Sequence, residues 1–260
     1  MQRVGKTIKV SPYRRFIADM LHFACKVPGV PVERTMELGA TAVARLRVGR
    51  HRPTWTALFV KGYGMTAREF AELRRAWLTF PYTRLYEHPY TICAVAVERR
   101  FQGEHAVLAG LVRAPENQSL LAISQYLHRL KTAPAESIGY FRRVVFTSRF
   151  PRPVRRFLWW STLNCSGNKR AKRLGTCGVS SYGQLGAEQL RPLCPLTSLL
   201  TFGPISPEGH VRVRIIYDHR VLDGAQIGRA LVRLEQILTN ELVQELDALA
   251  AASVARRRAA

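Results

Sequence analysis

The sequence predicts an α/β fold, because segments with the two-residue period of a strand alternate with segments that have the period of a helix. Residues 211–217 carry an apolar side chain at every second position, and residues 227–238 then repeat apolar side chains at helical spacing. Farther upstream, residues 91–97 and 105–112 have strand character, and Ser119 precedes another helical pattern. A chain of 260 residues is long enough to bury a sizeable core in one large domain or two small ones.

The N-terminal part of the chain is predicted to be mainly helical. Ser11-Pro12 combines a capping side chain with a proline suited to a first turn, so a helix is expected to begin there. Residues 36–48 are interpreted as extended or mixed. A second helix is expected from Thr54. Residues 66–69 have the form of a capping box, which predicts that a further helix, or a kinked continuation of the same helix, runs on through Trp77.

Charge is the least ordinary feature of the composition. The chain has 40 lysines and arginines against 18 aspartates and glutamates, a formal net charge of +22, while its hydrophobic fraction of 47% is ordinary for a globular protein. An excess this large fits an anionic partner, such as nucleic acid, anionic lipid or a phosphorylated cofactor. Because the basic residues are scattered, the excess also fits a bias in genome composition, and charge alone does not choose between these interpretations.

The cysteines and histidines form no metal-binding pattern. The five cysteines include no CxxC pair, and no histidine lies at a recognisable ligand spacing from a cysteine or carboxylate. We therefore expect reduced thiols and no metal site. Residues 1–10 contain no apolar signal-peptide core, and no run approaches about eighteen apolar residues, so we expect neither secretion nor a spanning helix. A cytoplasmic location is expected, with attachment to the inner face of a membrane left open.

The stretch from Tyr217 to Ala225 has the character of a functional turn. A strand pattern leads into it and a helix pattern follows it, and it places His219 between Asp218 and Asp223. A histidine between two carboxylates at such a junction is well placed to transfer protons. A histidine that only caps the helix is the alternative interpretation.

The order Asp-His-Arg-x-x-Asp-Gly at positions 218–224 resembles the motif of the dihydrolipoyl acyltransferase catalytic domains of 2-oxoacid dehydrogenase complexes. Chloramphenicol acetyltransferases carry a variant of it. The resemblance implies that His219 is a general base, which removes a proton from a thiol or hydroxyl so that it can attack an acyl thioester. It implies that Asp223 is a structural carboxylate that pairs with an arginine and holds the loop. A segment similar to the family's opening Arg-x-x-Ile-Ala makes Arg14 or Arg15 the implied partner, with a solvated arginine at a helix start as the alternative.

Residues 175–183 provide the second resemblance. Their order is similar to the family's Gly-Thr-Phe-Thr-apolar-Ser-x-Leu-Gly strand and turn. By that resemblance Ser180 donates a hydrogen bond to the tetrahedral oxyanion, and one aimed donor in a dry site lowers the barrier by roughly 3 kcal/mol. Ser181 is the alternative donor, and a site in which neither serine is catalytic stays open. Cys177 and Tyr182 replace the usual residues, so the pocket is expected to differ in shape.

Residues 140–174 depart from the family pattern, because bulky apolar and aromatic residues alternate with cations where the usual connection is polar. Arg155, Arg156, Trp159 and Trp160 are the candidates for contact with a membrane or another anion. Single-stranded nucleic acid would use similar residues but is the least favoured partner. The further alternative is a basic helix whose tryptophan face lies on the core or on a subunit interface.

The resemblance also implies an architecture. It implies an α/β fold, more specifically an α+β two-layer sandwich with a mixed sheet and helices on one face. This is the chloramphenicol acetyltransferase-like fold of coenzyme A-dependent acyltransferases. A single catalytic domain is expected over residues 1–245, with 140–174 as an atypical basic and aromatic insertion, followed by a basic C-terminal tail at 246–260. The family is trimeric, so we expect a homotrimer in which the histidine of one subunit faces the serine of its neighbour.

The function expected from these residues is acyl transfer. A coenzyme A or carrier thioester would donate the acyl group to a thiol, hydroxyl or amine acceptor; the acceptor and the residues that hold the donor are unassigned. The sequence shows no Asp-Lys-Ala turn for lipoyl attachment, so we expect an acceptor other than a lipoyl group tethered to this chain. The alternative is a non-catalytic basic scaffold of the same fold that binds membranes or nucleic acid.

Overall fold

The computed structural model describes residues 5–101, 103–183 and 186–258. Its strands are β1 (Gly29–Glu37), β2 (Arg75–Leu78), β3 (Arg84–Glu87), β4 (Ile92–Phe101), β5 (Glu104–Arg113), β6 (Cys177–Ser181), β7 (Ser198–Phe202) and β8 (His210–Asp218). Its α-helices are α1 (Pro12–Ala24), α2 (Gly39–Arg47), α3 (Trp55–Glu69), α4 (Leu120–Thr132), α5 (Gly139–Ser148), α6 (Arg152–Asn164), α7 (Gly167–Leu174), α8 (Gly224–Thr239) and α9 (Glu241–Arg258).

Most of the strands form one mixed sheet, in the order β1-β8-β7-β6-β4-β5. The neighbours β4, β6 and β7 run parallel, whereas β1, β8 and β5 pair antiparallel with their neighbours. Strands β2 and β3 form a separate antiparallel pair. Helices α3, α4, α8 and α9 bury apolar side chains against the large sheet. The predicted α/β fold with a mixed sheet is therefore confirmed.

Helix α3 lies at the centre of the main core. The ring of Phe59 stacks on Phe202 of β7, with ring centroids 4.1 Å apart. The hydroxyl of Tyr63 donates a hydrogen bond to Ser198 Oγ at 2.8 Å. Phe59 and Tyr63 are both fully buried. Because a buried hydroxyl without a partner costs free energy, the bond to Ser198 lets Tyr63 contribute its ring to the core.

The predicted helix starts at Ser11, Thr54 and Ser119 are confirmed by their caps. Each side-chain oxygen accepts a hydrogen bond from the backbone N–H three residues later, at 3.1, 3.2 and 3.2 Å respectively. Such a bond satisfies one of the N–H groups that a helix start leaves unpaired. These helix starts depend on residues close together in sequence, and each lies where the sequence pattern predicted it.

The prediction for the segment after α3 is wrong. The capping box at residues 66–69 lies inside α3, where the buried Thr66 hydroxyl donates to the Gly62 carbonyl at 2.9 Å. The helix ends at Glu69, and Trp77 lies in β2 rather than in a helix. Pairing of β2 with β3 supplies backbone hydrogen bonds that outweigh the local helical pattern. Residues 36–48, interpreted as extended or mixed, are mostly α2.

The atypical segment 140–174 folds as the three helices α5, α6 and α7. Helix α5 shares a second, smaller core with α1 and with the ends of β4 and β5, where Phe101 and Phe141 are buried. At the other end of the chain, α9 continues through the predicted boundary between positions 245 and 246 and buries Leu246. Searched over the described residues, no helix combines the length and the apolar character needed to cross a bilayer.

Replacing Phe59 by alanine is expected to lower the free energy of unfolding by about 3–5 kcal/mol, since it removes a fully buried ring and leaves a cavity. Tyr82→Ala is the control, because the Tyr82 side chain is largely exposed, and we expect a change within about 0.5 kcal/mol. Urea denaturation measures both. Equal losses in the two variants would contradict the position of Phe59 at the centre of the core.

Candidate active site

His219 lies in the turn that joins β8 to α8. Its backbone N–H donates to the Pro28 carbonyl at 3.2 Å, which ties the turn to the link between α1 and β1. The imidazole is 51% exposed, and its Nδ1 lies 3.7 Å from Asp223 Oδ1, within ion-pair range but longer than a hydrogen bond. Nδ1 therefore faces a carboxylate, and the described residues give Nε2 no partner.

Asp218 anchors this turn from the inside. Its carboxylate is almost fully buried, and Arg220 donates from Nε to Oδ1 at 2.9 Å and from Nη2 to Oδ2 at 2.7 Å. The backbone N–H of Arg220 adds a bond to Oδ1 at 3.1 Å. Two parallel N–H bonds to one carboxylate are the geometry in which a guanidinium binds an anion most strongly. The residues on both sides of His219 are therefore fixed.

The atypical segment supplies a second guanidinium to this region. Arg170 of α7 is buried and donates hydrogen bonds to three backbone carbonyls, among them that of Trp77 in β2. Burial lowers the pKa of Arg170 to about 10, and the attraction of Asp218 opposes that shift. The guanidinium of Arg220 also lies 5.5 Å from the centroid of the Trp77 ring. The histidine turn, β2 and α7 are thus connected by one cluster.

The structure does not bring the N-terminal arginines to Asp223. Arg14 Nε lies 3.7 Å from Glu104 Oε2, and Arg15 Nε donates to a backbone carbonyl of its own segment at 3.2 Å. Asp223 begins α8, where its backbone N–H donates to the side chain of Gln226 at 2.9 Å. Both guanidinium groups therefore have partners other than Asp223. Among the described residues of one protomer, the predicted ion pair is not formed.

Ser180 lies where strands β4 and β6 separate. These parallel strands pair only over 93–95 and 177–179, and they part beyond those residues. The gap opens into a pocket of about 520 Å³ that Ser180 lines together with residues of α3, α4 and β7. We call this pocket the serine pocket. Crevices at the carboxyl ends of parallel strands are common ligand sites in α/β sheets.

The two candidate serines differ in their partners. Ser181 Oγ donates to the Phe202 carbonyl at 3.0 Å and accepts from the Gly183 N–H at 3.2 Å, so it fastens the turn after β6. Within the described ranges, Ser180 Oγ has no hydrogen-bond partner, and its residue lines the serine pocket. Ser180 is therefore the hydroxyl available to a bound molecule.

His219 and Ser180 lie at opposite ends of the sheet in one protomer. Ser180 pairs with Thr201 of β7, and Thr201 pairs with Arg214, four residues before Asp218 at the end of β8. At about 3.3 Å per residue and about 4.8 Å between strands, the end of β8 is roughly 16 Å from Ser180. This separation is far beyond hydrogen-bond reach, so the two side chains do not share a site within one chain.

The candidates on α6 divide into two groups. Arg155 and Arg156 face inward, with Nε atoms 2.5 and 2.9 Å from the two carboxylate oxygens of buried Asp19. The expectation that they contact an external anion is corrected, because this internal carboxylate already binds both. Trp159 packs on aromatic rings of α1, as the alternative of a tryptophan face on the core predicts. Trp160 is exposed and stays a candidate for a surface contact.

Sequence reasoning missed the basic side chains at the serine pocket. His128 and Lys131, which are exposed and three residues apart on α4, line the pocket together with Arg45 of α2. Arg45 is engaged internally by a backbone carbonyl and an indole ring, and burial lowers its pKa. The spacing of His128 and Lys131 on a predicted helix was the available signal, since residues three apart share a helix face.

The cysteines are free thiols, and burial raises the pKa of Cys194 to about 11. In the part of the chain that the structure describes, no group of three or more histidine, cysteine, aspartate or glutamate side chains is placed to hold a metal ion.

Solved structures share this fold. A dihydrolipoamide acetyltransferase from Azotobacter vinelandii has a TM-score of 0.67 at 17% identity, covering 91% of this chain and 92% of that one. A truncated catalytic core of the 2-oxoacid dehydrogenase multienzyme complex from Thermoplasma acidophilum has a TM-score of 0.64 at 15% identity, covering 91% and 99%. The cubic core of a pyruvate dehydrogenase multienzyme complex has a TM-score of 0.63 at 18% identity, covering 91% and 93%. No protein-family model and no curated protein matches the sequence.

The fold class is thus that of dihydrolipoamide acetyltransferase catalytic cores, as the motifs around His219 and Ser180 imply. For the Azotobacter protein, the roles of a serine, a histidine and an asparagine four residues after the histidine have been investigated in the catalytic mechanism. Identity this low shows the fold alone. The chemistry of this chain has to be argued from its own residues.

Arg220→Met is expected to lower the free energy of unfolding by roughly 2–3 kcal/mol, because it leaves the buried Asp218 carboxylate without its two-pronged partner. Arg229→Met changes an exposed arginine on α8 and is expected to stay within about 0.5 kcal/mol of wild type. Urea denaturation followed by circular dichroism measures both variants. If Arg220→Met is as stable as Arg229→Met, the buried Asp218 carboxylate does not need Arg220 as its partner.

Proposed function

We propose that this protein transfers an acyl group from a coenzyme A thioester to a nucleophilic acceptor, with His219 as general base and Ser180 as oxyanion donor. The observation that carries the proposal is the division of these groups between the two ends of one sheet. In a protomer, His219 is a half-exposed imidazole outside the serine pocket, and Ser180 is a hydroxyl in that pocket with no hydrogen-bond partner among the described residues. A second copy that brings its His219 to the serine pocket completes the site.

A homotrimer is the assembly that we propose. Closed rotational symmetry repeats one contact around the ring, so each protomer gives its histidine to one neighbour and its serine pocket to the other. One structure of the same fold is the cubic core of a multienzyme complex. That likeness supports a symmetric assembly here.

The proposed chemistry begins at Nε2 of His219. This nitrogen takes the proton from the thiol, hydroxyl or amine of the acceptor as the acceptor atom attacks the thioester carbonyl carbon. The carbonyl electron pair moves to oxygen, and Ser180 donates a hydrogen bond to the oxyanion that results. When the tetrahedral intermediate collapses, the carbon–sulfur bond breaks and the imidazolium returns its proton to the leaving thiolate.

Asp223 is proposed as a positioning residue for His219. Its Oδ1 faces Nδ1 at 3.7 Å, which favours the tautomer with the proton on Nδ1 and the lone pair on Nε2. In the Azotobacter protein an asparagine four residues after the histidine was investigated for a role in the mechanism, and Asp223 stands at the same spacing here. Both side chains offer an oxygen acceptor, and the carboxylate adds a negative charge that stabilises the imidazolium.

Coenzyme A carries phosphate groups, so a donor in the serine pocket needs cations at its mouth. Exposed Lys131 and His128 line that pocket, and we assign them to the phosphates. The thioester end would then extend inward to Ser180. This arrangement assigns a specific role to part of the large positive charge of the chain.

A second candidate is a binding role of the same fold at a membrane surface. The observation in its favour is an exposed aromatic cluster, in which the Trp160 ring lies 6.0 Å from Phe157 and 5.7 Å from Phe80. Exposed aromatic rings on a strongly basic protein suit the interface of an anionic membrane. This role would need neither His219 nor Ser180.

The test is thiol release from acyl-coenzyme A thioesters of increasing chain length, with a panel of thiol, hydroxyl and amine acceptors. His219→Ala and Ser180→Ala are each expected to lower kcat/KM by about 100-fold or more, because each removes a group that acts in the transition state. His210→Ala and Ser137→Ala change exposed residues that do not line the serine pocket; they are the matched controls and should stay within a few-fold of wild type.

Two results would contradict the proposal that this protein is an acyltransferase. One is turnover that is equal in wild type, His219→Ala and Ser180→Ala. The other is no turnover with any donor together with binding to anionic vesicles, which would favour the membrane role.

A further inference from the structure

A second cavity lies among the helices of the atypical segment. It has a volume of about 410 Å³, is partly open to solvent and is lined by α1, α5, α6 and α7. We call it the helical cleft. It shares no lining residue with the serine pocket. Most of its wall is apolar, formed by the side chains of Phe16, Val144, Phe146, Phe150, Leu158 and Trp159.

The helical cleft lies between α5 and α6, which are held apart. The residues of α6 that line it, Arg155, Leu158, Trp159 and Thr162, are spaced at three, four and seven positions and share one helix face, and α5 contributes residues from Tyr140 to Ser148. Helix α1 packs on both helices, whereas α5 and α6 make few contacts with each other. A concave, mostly apolar cavity of more than about 300 Å³ with a few polar groups has the form of a small-molecule site.

The polar groups of the helical cleft make it positive. Asp19 is the one carboxylate in its lining, and Arg155 and Arg156 bind both of its oxygens. Arg143 and Arg173 also line the cleft, and no carboxylate of the described side chains pairs with either. Arg173 Nη1 donates to a threonine hydroxyl at 2.9 Å, which leaves its other N–H groups for a ligand.

Tyr140 adds a neutral hydroxyl to the cleft. A phenol is protonated at neutral pH with its ordinary pKa, and burial raises the pKa of Tyr140 further, to about 12. The lining thus combines an apolar wall with two arginines whose charge is not neutralised there. Charge complementarity requires an anionic head group, and the wall requires an apolar body.

We propose that the helical cleft binds a single-chain fatty acyl anion, with its carboxylate at Arg143 and Arg173 and its chain along Val144, Leu158 and Trp159. A guanidinium matches a carboxylate with two parallel hydrogen bonds. The volume suits one chain rather than a two-chain lipid. The site goes beyond the proposed acyl transfer and requires neither His219 nor Ser180.

Calorimetry and tryptophan fluorescence with sodium hexanoate, octanoate, decanoate and dodecanoate, kept below micelle-forming concentrations, test the proposal on the full chain. The dissociation constant is expected to fall about three- to fourfold per added methylene until the cleft is filled, because each buried methylene adds a constant transfer free energy. Uncharged 1-decanol should bind about tenfold more weakly than decanoate, because it lacks the charge-assisted hydrogen bonds.

Matched variants locate the site. Arg143→Gln and Arg173→Gln are each expected to weaken decanoate binding about tenfold. Arg142→Gln and Lys172→Gln change the exposed neighbours of these two arginines. They should leave decanoate binding unchanged, since neither Arg142 nor Lys172 lines the cleft. Trp159→Phe should keep calorimetric binding while removing most of the fluorescence change, which identifies the cleft as the place of binding.

Several outcomes would overturn the proposal. Affinity that does not depend on chain length, or equal effects of Arg142→Gln and Arg143→Gln, would show non-specific attraction by surface charge. Binding to anionic vesicles but not to monomeric carboxylates would show a membrane surface instead. No carboxylate binding, together with dissociation of the assembly in Arg143→Gln, would show that a second copy fills the cleft. His219→Ala should bind decanoate as wild type does, so a failure of the acyltransferase proposal is distinguishable.

Discussion

The buried carboxylate of Asp218 is the group on which the arrangement of the histidine turn depends. A charge at this depth is tolerated only with a well-placed counter-charge, and Arg220 binds both of its oxygens. Arg170 adds a second buried cation from α7 and hydrogen-bonds the Trp77 carbonyl in β2. One cluster therefore joins three segments distant in sequence. It also gives His219 a defined position although its ring is half exposed.

The order and direction of the strands then decide how a site can form. Strand β8 is antiparallel to β7, so its carboxyl end lies beside the amino end of β7, whereas Ser180 is near the carboxyl end of the parallel strand β6. A separation of roughly 16 Å cannot be closed by side-chain rotation. Because the cluster around Asp218 fixes the turn, the turn is not free to swing across the sheet. The proposed base, His219, therefore comes near Ser180 only if it belongs to another copy.

Local patterns predicted what local interactions decide. The helix caps, strand β8 and the turn around His219 follow from residues close together in sequence, and they are confirmed. Trp77 was placed wrongly because its strand exists only through pairing with β3. The roles of Arg155 and Arg156 could not be predicted, since their partner Asp19 lies far away in the chain.

The choice between the two serines shows the same limit. Ser181 is occupied by the Phe202 carbonyl, a contact between strands that no local pattern contains. The helical cleft could not be predicted from the sequence either, because it depends on the distance between α5 and α6, which both pack on α1. The motifs predicted the candidate residues, and tertiary contacts determine which of them are available.

Mixed oligomers of His219→Ala and Ser180→Ala chains test the central claim most directly. The two variants, carrying different tags, would be assembled together in equal amounts and their acyl transfer measured. A site shared between neighbours predicts roughly a quarter of wild-type turnover, because each mixed trimer then contains one interface with an intact histidine and an intact serine. Turnover no higher than that of the separate variants, in mixed trimers verified by mass spectrometry, would contradict a site shared between copies.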